Sequence, residues 1–299
     1  MANIALDKTM EENRRPHRSS SLWMDAWRQV RRNRFAIVGL GILGVLIVVA
    51  VFAPWVSPHD PNAHDMAMGI QAPSREHLLG TDELGRDLLS RLIYGARVSL
   101  TVGLIVVGIA GTIGVTLGAI SGYYGGWIDE IIMRLVDVIY AFPFLVLAIA
   151  VVAILEESSL TNTMIVLGCV SWIGYARLVR GQVLTLREMD YVNAARVLGA
   201  RDGRIIFRHI LPNCLGVVIV QATFGVAGAI LAASALSYLG LGAQPPTAEW
   251  GAMLSNAKKY MRHHPVLAIA PGVAIMVTVL AINFVGDALR DALDPRLRG

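Results

Sequence analysis

Charge is what this chain carries least of. Only 16% of its 299 residues are Asp, Glu, Lys or Arg, against about 25% in an average soluble domain. So few charges cannot cover a water-facing surface, and the mean hydropathy of +0.57 agrees. Lysine is almost missing. Lys8, Lys258 and Lys259 are the only three, and none follows a glycine. A GxxxxGK[ST] phosphate loop is therefore excluded, and with it that way of cradling ATP. HExxH is absent, and no Ser-His-Asp set or carboxylate pair stands out in the apolar runs. Two cysteines, Cys169 and Cys214, fall in or beside apolar runs. They imply no framework of bridges and read as buried small apolar side chains. Strands of alternating polarity are missing too, which argues against a membrane barrel.

What is present is a series of apolar runs near 20 residues long, each able to cross about 30 Å of hydrocarbon. The fold expected is all-α and integral to the membrane, because helices satisfy their own backbone in lipid. Spans fall near 35–56, 98–120, 131–155, 160–180, 214–240 and 266–288, about six transmembrane helices. An even count puts both termini on one side. With that side inside, 18 of the 26 Lys and Arg fall in inside segments and 7 in outside ones, Arg134 lying within a span. The positive-inside rule then makes both termini cytoplasmic. The net charge of +4 reads as topology and gives no sign of nucleic acid.

The expected organisation is a cytoplasmic tail (1–34), a first transmembrane helix (35–56), an external segment (57–97), a transmembrane core (98–288) and a cytoplasmic tail (289–299). The first tail carries Arg14, Arg15, Arg18, Arg28, Arg31, Arg32 and Arg34. Phe35 to Val56 is of full spanning length and reads as a retained helix, unlike the shorter apolar core of a signal peptide.

In the external segment, Pro54, Pro58 and Pro61 prevent regular helix at the start. From Asp82 to Tyr94, Leu84, Leu88, Leu89, Leu92 and Ile93 recur at helical spacing, with Glu83, Arg86, Asp87 and Arg91 between them. This predicts an amphipathic helix on the outer surface. It is either an interfacial connector or a lid over the external mouth, with Leu84, Arg86, Asp87 and Arg91 as lid residues. His59, Asp60, His64, Asp65, Met66 and Met68, like His263 and His264, lack recognised ligand spacing. They are expected to be solvated loop, with no metal site. A second surface helix is expected within Glu249 to Arg262.

Within the core, Ala110, Gly114 and Gly118 repeat every four residues, a spacing that suits close helix packing in lipid. Glu130, Arg134 and Asp137 share a helical face and suggest a structural ion pair. Pro143 is expected to kink the third span. The fifth span is rich in Gly, Ala and Ser and contains Gln221 and Thr223. It is the candidate for lining a pathway, with plain close packing as the competing explanation.

The most polar internal stretch runs from Asp190 to Asn213, within a loop expected over 181–213. YVNAARVL has helix formers, Gly199 permits a turn, and Ile205, Ile206 and Ile210 mark a second helical pattern. Pro212 suits the first turn of the next span. A helical hairpin across the ends of the bundle is the expected form. Its small alanines would leave room for a partner's groove, and its arginines would offer charge-assisted contacts.

This stretch resembles the coupling loop of binding-protein-dependent ABC importer permeases, whose pattern is Glu-Ala-Ala, three residues, Gly, nine residues, then Ile-x-Leu-Pro. Ala194, Ala195, Gly199, Leu211 and Pro212 match in register. Asn193 stands for the glutamate and His209 for the isoleucine, departures usual in the dipeptide, oligopeptide and nickel branch. HLLGTDELGRDLLSR, LGLGAQPPTAEWGAML and GDALRDALDPRLR resemble that branch as well. The resemblance covers nearly all of Phe35 to Gly299 and implies the transmembrane domain of a type I ABC importer. It implies a sibling permease as heterodimer partner, two cytoplasmic ATPase subunits holding ATP and Mg, an external solute-binding protein, and no cofactor or catalysis in this chain. The coupling residues it implies are Asp190, Tyr191, Asn193, Ala194, Ala195, Arg196, Gly199, Arg208, His209, Leu211 and Pro212. A bacterial or archaeal plasma membrane is the expected location, and dipeptides or short oligopeptides the expected cargo. Nickel complexes or glutathione are alternatives within the family. An ion-coupled secondary carrier is the alternative outside it, although matching pairs of interrupted helices are absent.

Overall fold

A computed structural model describes residues 29–66, 68–155 and 157–293. Most of the arginine-rich first tail and the last six residues lie outside the described residues. Helix α1 (Arg34–Val51) begins at Asn33, whose side chain accepts the amides of Phe35 and Ala36, a standard N-cap. A single turn, α2 (Ala53–Val56), follows. Then come α3 (Leu88–Tyr124), α4 (Gly126–Tyr140), α5 (Phe144–Ile154), α6 (Leu160–Leu186), α7 (Asp190–Val197) and α8 (Asp202–Ile205). A π-helical turn at Ile206–Ile210 leads into α9 (Leu211–Tyr238), followed by α10 (Trp250–Ala257) and α11 (Val266–Leu293).

Among the described residues, five helical stretches are long and apolar enough to span: α1, α3, α6, the continuous 202–238 stretch and α11. The pair α4 and α5 supplies a sixth if counted as one span. The expected kink at Pro143 is a break, with the two helices bent by 91°. Proline lacks an amide and disfavours helix in the residue before it. Pro143 accordingly has extended ψ (125°) and serves as the N-cap of α5.

The amphipathic helix expected from Asp82 to Tyr94 does not exist as a separate element. Asp82 to Arg86 form a tight turn, in which Asp82 Oδ1 accepts the amides of Leu84 and Arg86. An aspartate that satisfies nearby amides in this way competes with helix. Gly85 has φ +71°, and a Cβ there would strike the Asp65 carbonyl. Helix begins only at Leu88, capped by Asp87, and continues without a break into the span. At 1.5 Å per residue α3 is about 55 Å long, so it projects well beyond the hydrocarbon.

The central seam is α3 against α6. A Cβ on Gly118 would lie 2.5 Å from the Ala176 carbonyl oxygen, so the backbones touch there. Ala110 is fully buried among Val136, Trp172 and Ala176. Close packing through small residues holds helices together in lipid. Beside this seam, α1 lies along α11, with Val30 and Ala36 packed on Ala288 and Ala292. Both described ends of the chain thus meet at one end of the bundle. Gly216, near the start of α9, faces Leu293 at that same end, which is called here the loop end. Cys214 is buried as expected, but Cys169 is exposed on the bundle's outside, an apolar span having an outward face as well as an inward one.

Candidate functional site

At the loop end, α7 is an eight-residue helix and Gly199 (φ +79°) turns the chain out of it. The expected hairpin is only half present. Its second arm does not lie across the bundle but runs through the π turn straight into α9. Ile205, Ile206 and Ile210 explain why: all three are buried, packed on Val179, Val183, Val192 and Cys214. That apolar face anchors the arm lengthwise on the bundle.

The polar residues of this segment largely fasten it. Asn193 donates to the Glu188 carbonyl (3.3 Å) and accepts from Arg196 (3.1 Å). A carboxylate at this position could not make the first bond, because it only accepts. Tyr123 at the end of α3 donates to Asp202 (2.8 Å), and Arg187 donates to the Gly122 carbonyl (2.8 Å). Asn213 bonds the His209 carbonyl (2.7 Å) and lies 3.5 Å from the Tyr191 hydroxyl. Ala194, Arg208 and Pro212 are exposed, Ala195 and Leu211 half-buried, and Asp190 sits in the first turn of α7.

Part of the open surface here is apolar, where the sequence pointed to arginine and alanine. Val197 is 87% exposed, Leu198 86% and Phe207 74%. They stand on either side of the Gly199 turn, at the end of the bundle where water is expected. Their signal in the sequence was a Val-Leu pair that continues no apolar face of α7, and a phenylalanine set among arginines.

The expected Glu130–Arg134–Asp137 cluster is divided. Arg134 lies 3.7 Å from Glu130, with both side chains largely exposed. Asp137 pairs instead with Arg177 of α6 at 2.6 Å, and Arg177 stacks over Tyr140. A stronger pair had no forewarning: Arg180 forks onto both oxygens of Asp129 (2.5 and 2.6 Å), and Ser121 donates to the same carboxylate. Neighbouring helices thus supply the partners that membrane charges need.

The two polar residues expected to line one pathway face different grooves. They are two positions apart on α9, roughly 200° around the helix. Gln221 lines a groove of about 530 Å³ with Ser171, Tyr175, Phe144 and Gly228. The Tyr175 hydroxyl sits 3.4 Å from the Gln221 carbonyl. Thr223 opens to a second groove of about 700 Å³, among α1, α3 and α9, with Arg97 and Thr101.

At the opposite end the candidate lid residues are knitted inward. Asp82 accepts from Arg86 Nε (2.7 Å), with Arg91 Nε at 3.4 Å. Arg91 also donates to the Pro61 carbonyl (3.0 Å), and its Nη1 lies 3.4 Å from the Pro246 carbonyl. Leu84 is half-buried. Burial alone would raise the Asp87 carboxyl's pKa. Bonds from the Ser90 hydroxyl and amide and from His77 outweigh it and hold the group below the ordinary carboxylate value. The helix expected within Glu249–Arg262 is α10, shorter than that range. Glu249 caps it through Gly251 and Ala252, and Trp250 donates to the Leu92 carbonyl (3.1 Å).

Comparison with known proteins places this geometry. Residues 114–299 match the family described as binding-protein-dependent transport system inner membrane component. Residues 21–73 match the N-terminal TM domain of oligopeptide transport permease C. The dipeptide transport system permease protein DppC of Alkalihalophilus pseudofirmus is 48% identical over 278 residues, 93% of this chain and 91% of that protein. The glutathione transport system permease protein GsiD of Escherichia coli is 45% identical over 286 residues, 95% and 94% of the two chains. A structure of the MetNI methionine ABC transporter aligns with a TM-score of 0.55 at 18% identity, over 68% of this chain and 96% of its own. That likeness bears on the fold.

Proposed function

The chain belongs to the family of binding-protein-dependent transport system inner membrane components, and on that premise we propose that it forms half of the translocation pathway for dipeptides or short oligopeptides. It is a multi-pass protein of the bacterial inner membrane. A sibling permease completes the pathway, two ATPase subunits hold and hydrolyse ATP with Mg, and an external binding protein delivers the cargo. The chain itself binds no cofactor and catalyses no reaction. The loop end and both termini are cytoplasmic, in keeping with the distribution of Lys and Arg. Family membership sets aside the ion-coupled carrier.

The observation that carries the mechanism is the open apolar triad Val197, Leu198 and Phe207 on a segment otherwise bonded to the bundle. A partner that covers the triad can transmit force, because the second arm is continuous with α9 and α9 lines the groove at Gln221. ATP-driven approach of the two ATPases then moves α9, and hydrolysis resets it, as coupling through a two-state bundle requires. Gln221, with Ser171 and Tyr175, offers polar contacts in an otherwise apolar passage. At the external end, Leu84, Arg86, Asp87 and Arg91 brace the mouth on which the binding protein lands.

The dipeptide reading is supported by the relative at 48% identity. The glutathione-named relative at 45% supports glutathione, itself a short peptide, as the second reading. Uptake by the reconstituted complex with labelled dipeptide, oligopeptide, glutathione and nickel separates these. Peptide uptake that depends on ATP and on the binding protein is expected; uptake of nickel alone would overturn the peptide reading.

A further inference from the structure

Three stretches of the external segment converge on one point. His59 follows α2, His77 precedes the Asp82 turn, and Asp87 caps α3. One ring nitrogen from each of His59 and His77 and a carboxylate oxygen of Asp87 lie within 4.8 Å of one another. His77 Nδ1 is 2.9 Å from Asp87 Oδ1, and His59 Nδ1 is 3.8 Å from that same oxygen. The second distance is too long for a hydrogen bond. His59 Nδ1 is nevertheless buried and has no hydrogen-bond partner, which is costly for a polar atom. We propose that His59, His77 and Asp87 bind a divalent cation of the zinc class.

The distances suit such an ion. Ligand atoms about 2.0–2.1 Å from a tetrahedral ion sit roughly 3.3 Å apart, and the two imidazole-to-carboxylate distances fall on either side of that value. Two imidazoles and one carboxylate form a borderline donor set that favours zinc, cobalt or nickel over the oxygen-seeking magnesium and calcium. The carboxylate is held in place for this role. Its second oxygen accepts from the Ser90 amide (2.8 Å) and hydroxyl (2.6 Å), which leaves Oδ1 facing the imidazoles. Ser90 Oγ also accepts the His59 amide (3.1 Å), so one side chain positions two of the three ligands, as supporting groups around metal sites do. The His59 side chain is 35% exposed, which leaves an entrance and room for water as a fourth ligand. The ligands are 18 and 10 positions apart in the chain, so no short motif announces them. Bound there, the ion fastens the Pro-rich loop and the His77 loop to the start of the longest helix.

The test uses the assembled transporter, purified, freed of any histidine tag, stripped with chelator and titrated with zinc. The wild-type complex is expected to hold one more tightly bound zinc than a complex carrying His59→Ala. That substitution removes no hydrogen bond of the imidazole and should leave folding intact. Cobalt in place of zinc should give the intense visible bands of a tetrahedral site in wild type only. Ser90→Ala should weaken zinc by about 10–100-fold. Equal zinc content in wild type and His59→Ala, or no saturable zinc binding to wild type, would overturn the proposal.

Discussion

The two ends of α3 are built on opposite plans. At Asp87 the helix emerges into a buried lattice: Asp82 and Glu83 balance Arg86 and Arg91, Glu249 caps α10, and Trp250 is hydrogen-bonded to Leu92. At Tyr124 it ends near a segment whose polar groups are also bonded but whose Val197, Leu198 and Phe207 stand in the open. The first end completes itself. The second leaves an apolar face uncovered, the face on which an ATPase subunit is proposed to dock. Between them runs the backbone seam of α3 on α6 at Gly118.

The comparison can be broken first at the self-contained end. Asp82→Ala leaves Arg86 and Arg91 buried without their carboxylate, which should cost about 3–5 kcal/mol. The expected result is loss of folded chain from the membrane, read by thermal stability of the detergent-solubilised protein. Next comes the seam: Gly118→Leu drives a side chain into the Ala176 carbonyl and should cost roughly 3 kcal/mol, seen as a lowered Tm. The loop end should respond in the opposite way. Leu198→Asp changes an exposed side chain, so stability should stay within about 0.5 kcal/mol. ATPase docking should weaken by about 1–2 kcal/mol, measured as the concentration of ATPase needed for half-maximal stimulated hydrolysis. Gly199→Val is smaller in origin, because nothing lies within 4 Å of the added Cβ. The cost is the left-handed backbone, about 1–2 kcal/mol, and it should appear as uncoupled ATP hydrolysis with the chain still inserted.

The smallest effect is one of pH. Folding holds the Asp87 pKa below its ordinary 3.8. Its contribution is therefore complete above that value and is lost as pH falls through the lower folded one. With the His59–His77–Asp87 site stripped of metal, the Asp87 contribution should be level from neutral pH to about pH 4 and fall below it; Asp87→Asn should remove that acid-side fall.

Much of this was legible in the sequence, and the failures share a cause. Apolar runs announced the spans because lipid demands length and composition, both of which are local. The Ala110–Gly114–Gly118 repeat announced the seam for the same reason. The sequence could not show which charge meets which across helices. Asp137 looked like Arg134's partner along the chain but meets Arg177, and Asp129 meets Arg180, 51 positions away. Helical spacing also misled at Asp82–Arg86, where the apolar period was right but the aspartate's bonds to nearby amides and the positive φ of Gly85 prevailed. In the stretch 190–213 the matched residues Ala194, Ala195, Gly199, Leu211 and Pro212 mark the segment proposed to couple to the ATPase. The open face at Val197, Leu198 and Phe207 depends on burial, which only the folded chain defines.

The most direct test of the asymmetry is a cross-linking pair in the assembled complex. A chain with Cys169 and Cys214 replaced by alanine would carry a single cysteine, either through Leu198→Cys at the loop end or through Leu78→Cys, which is 60% exposed at the other. A short thiol-to-amine cross-linker should join position 198, and not 78, to an ATPase subunit. Attachment of the ATPase at position 78, or none at position 198 in a complex that still transports, would contradict the account.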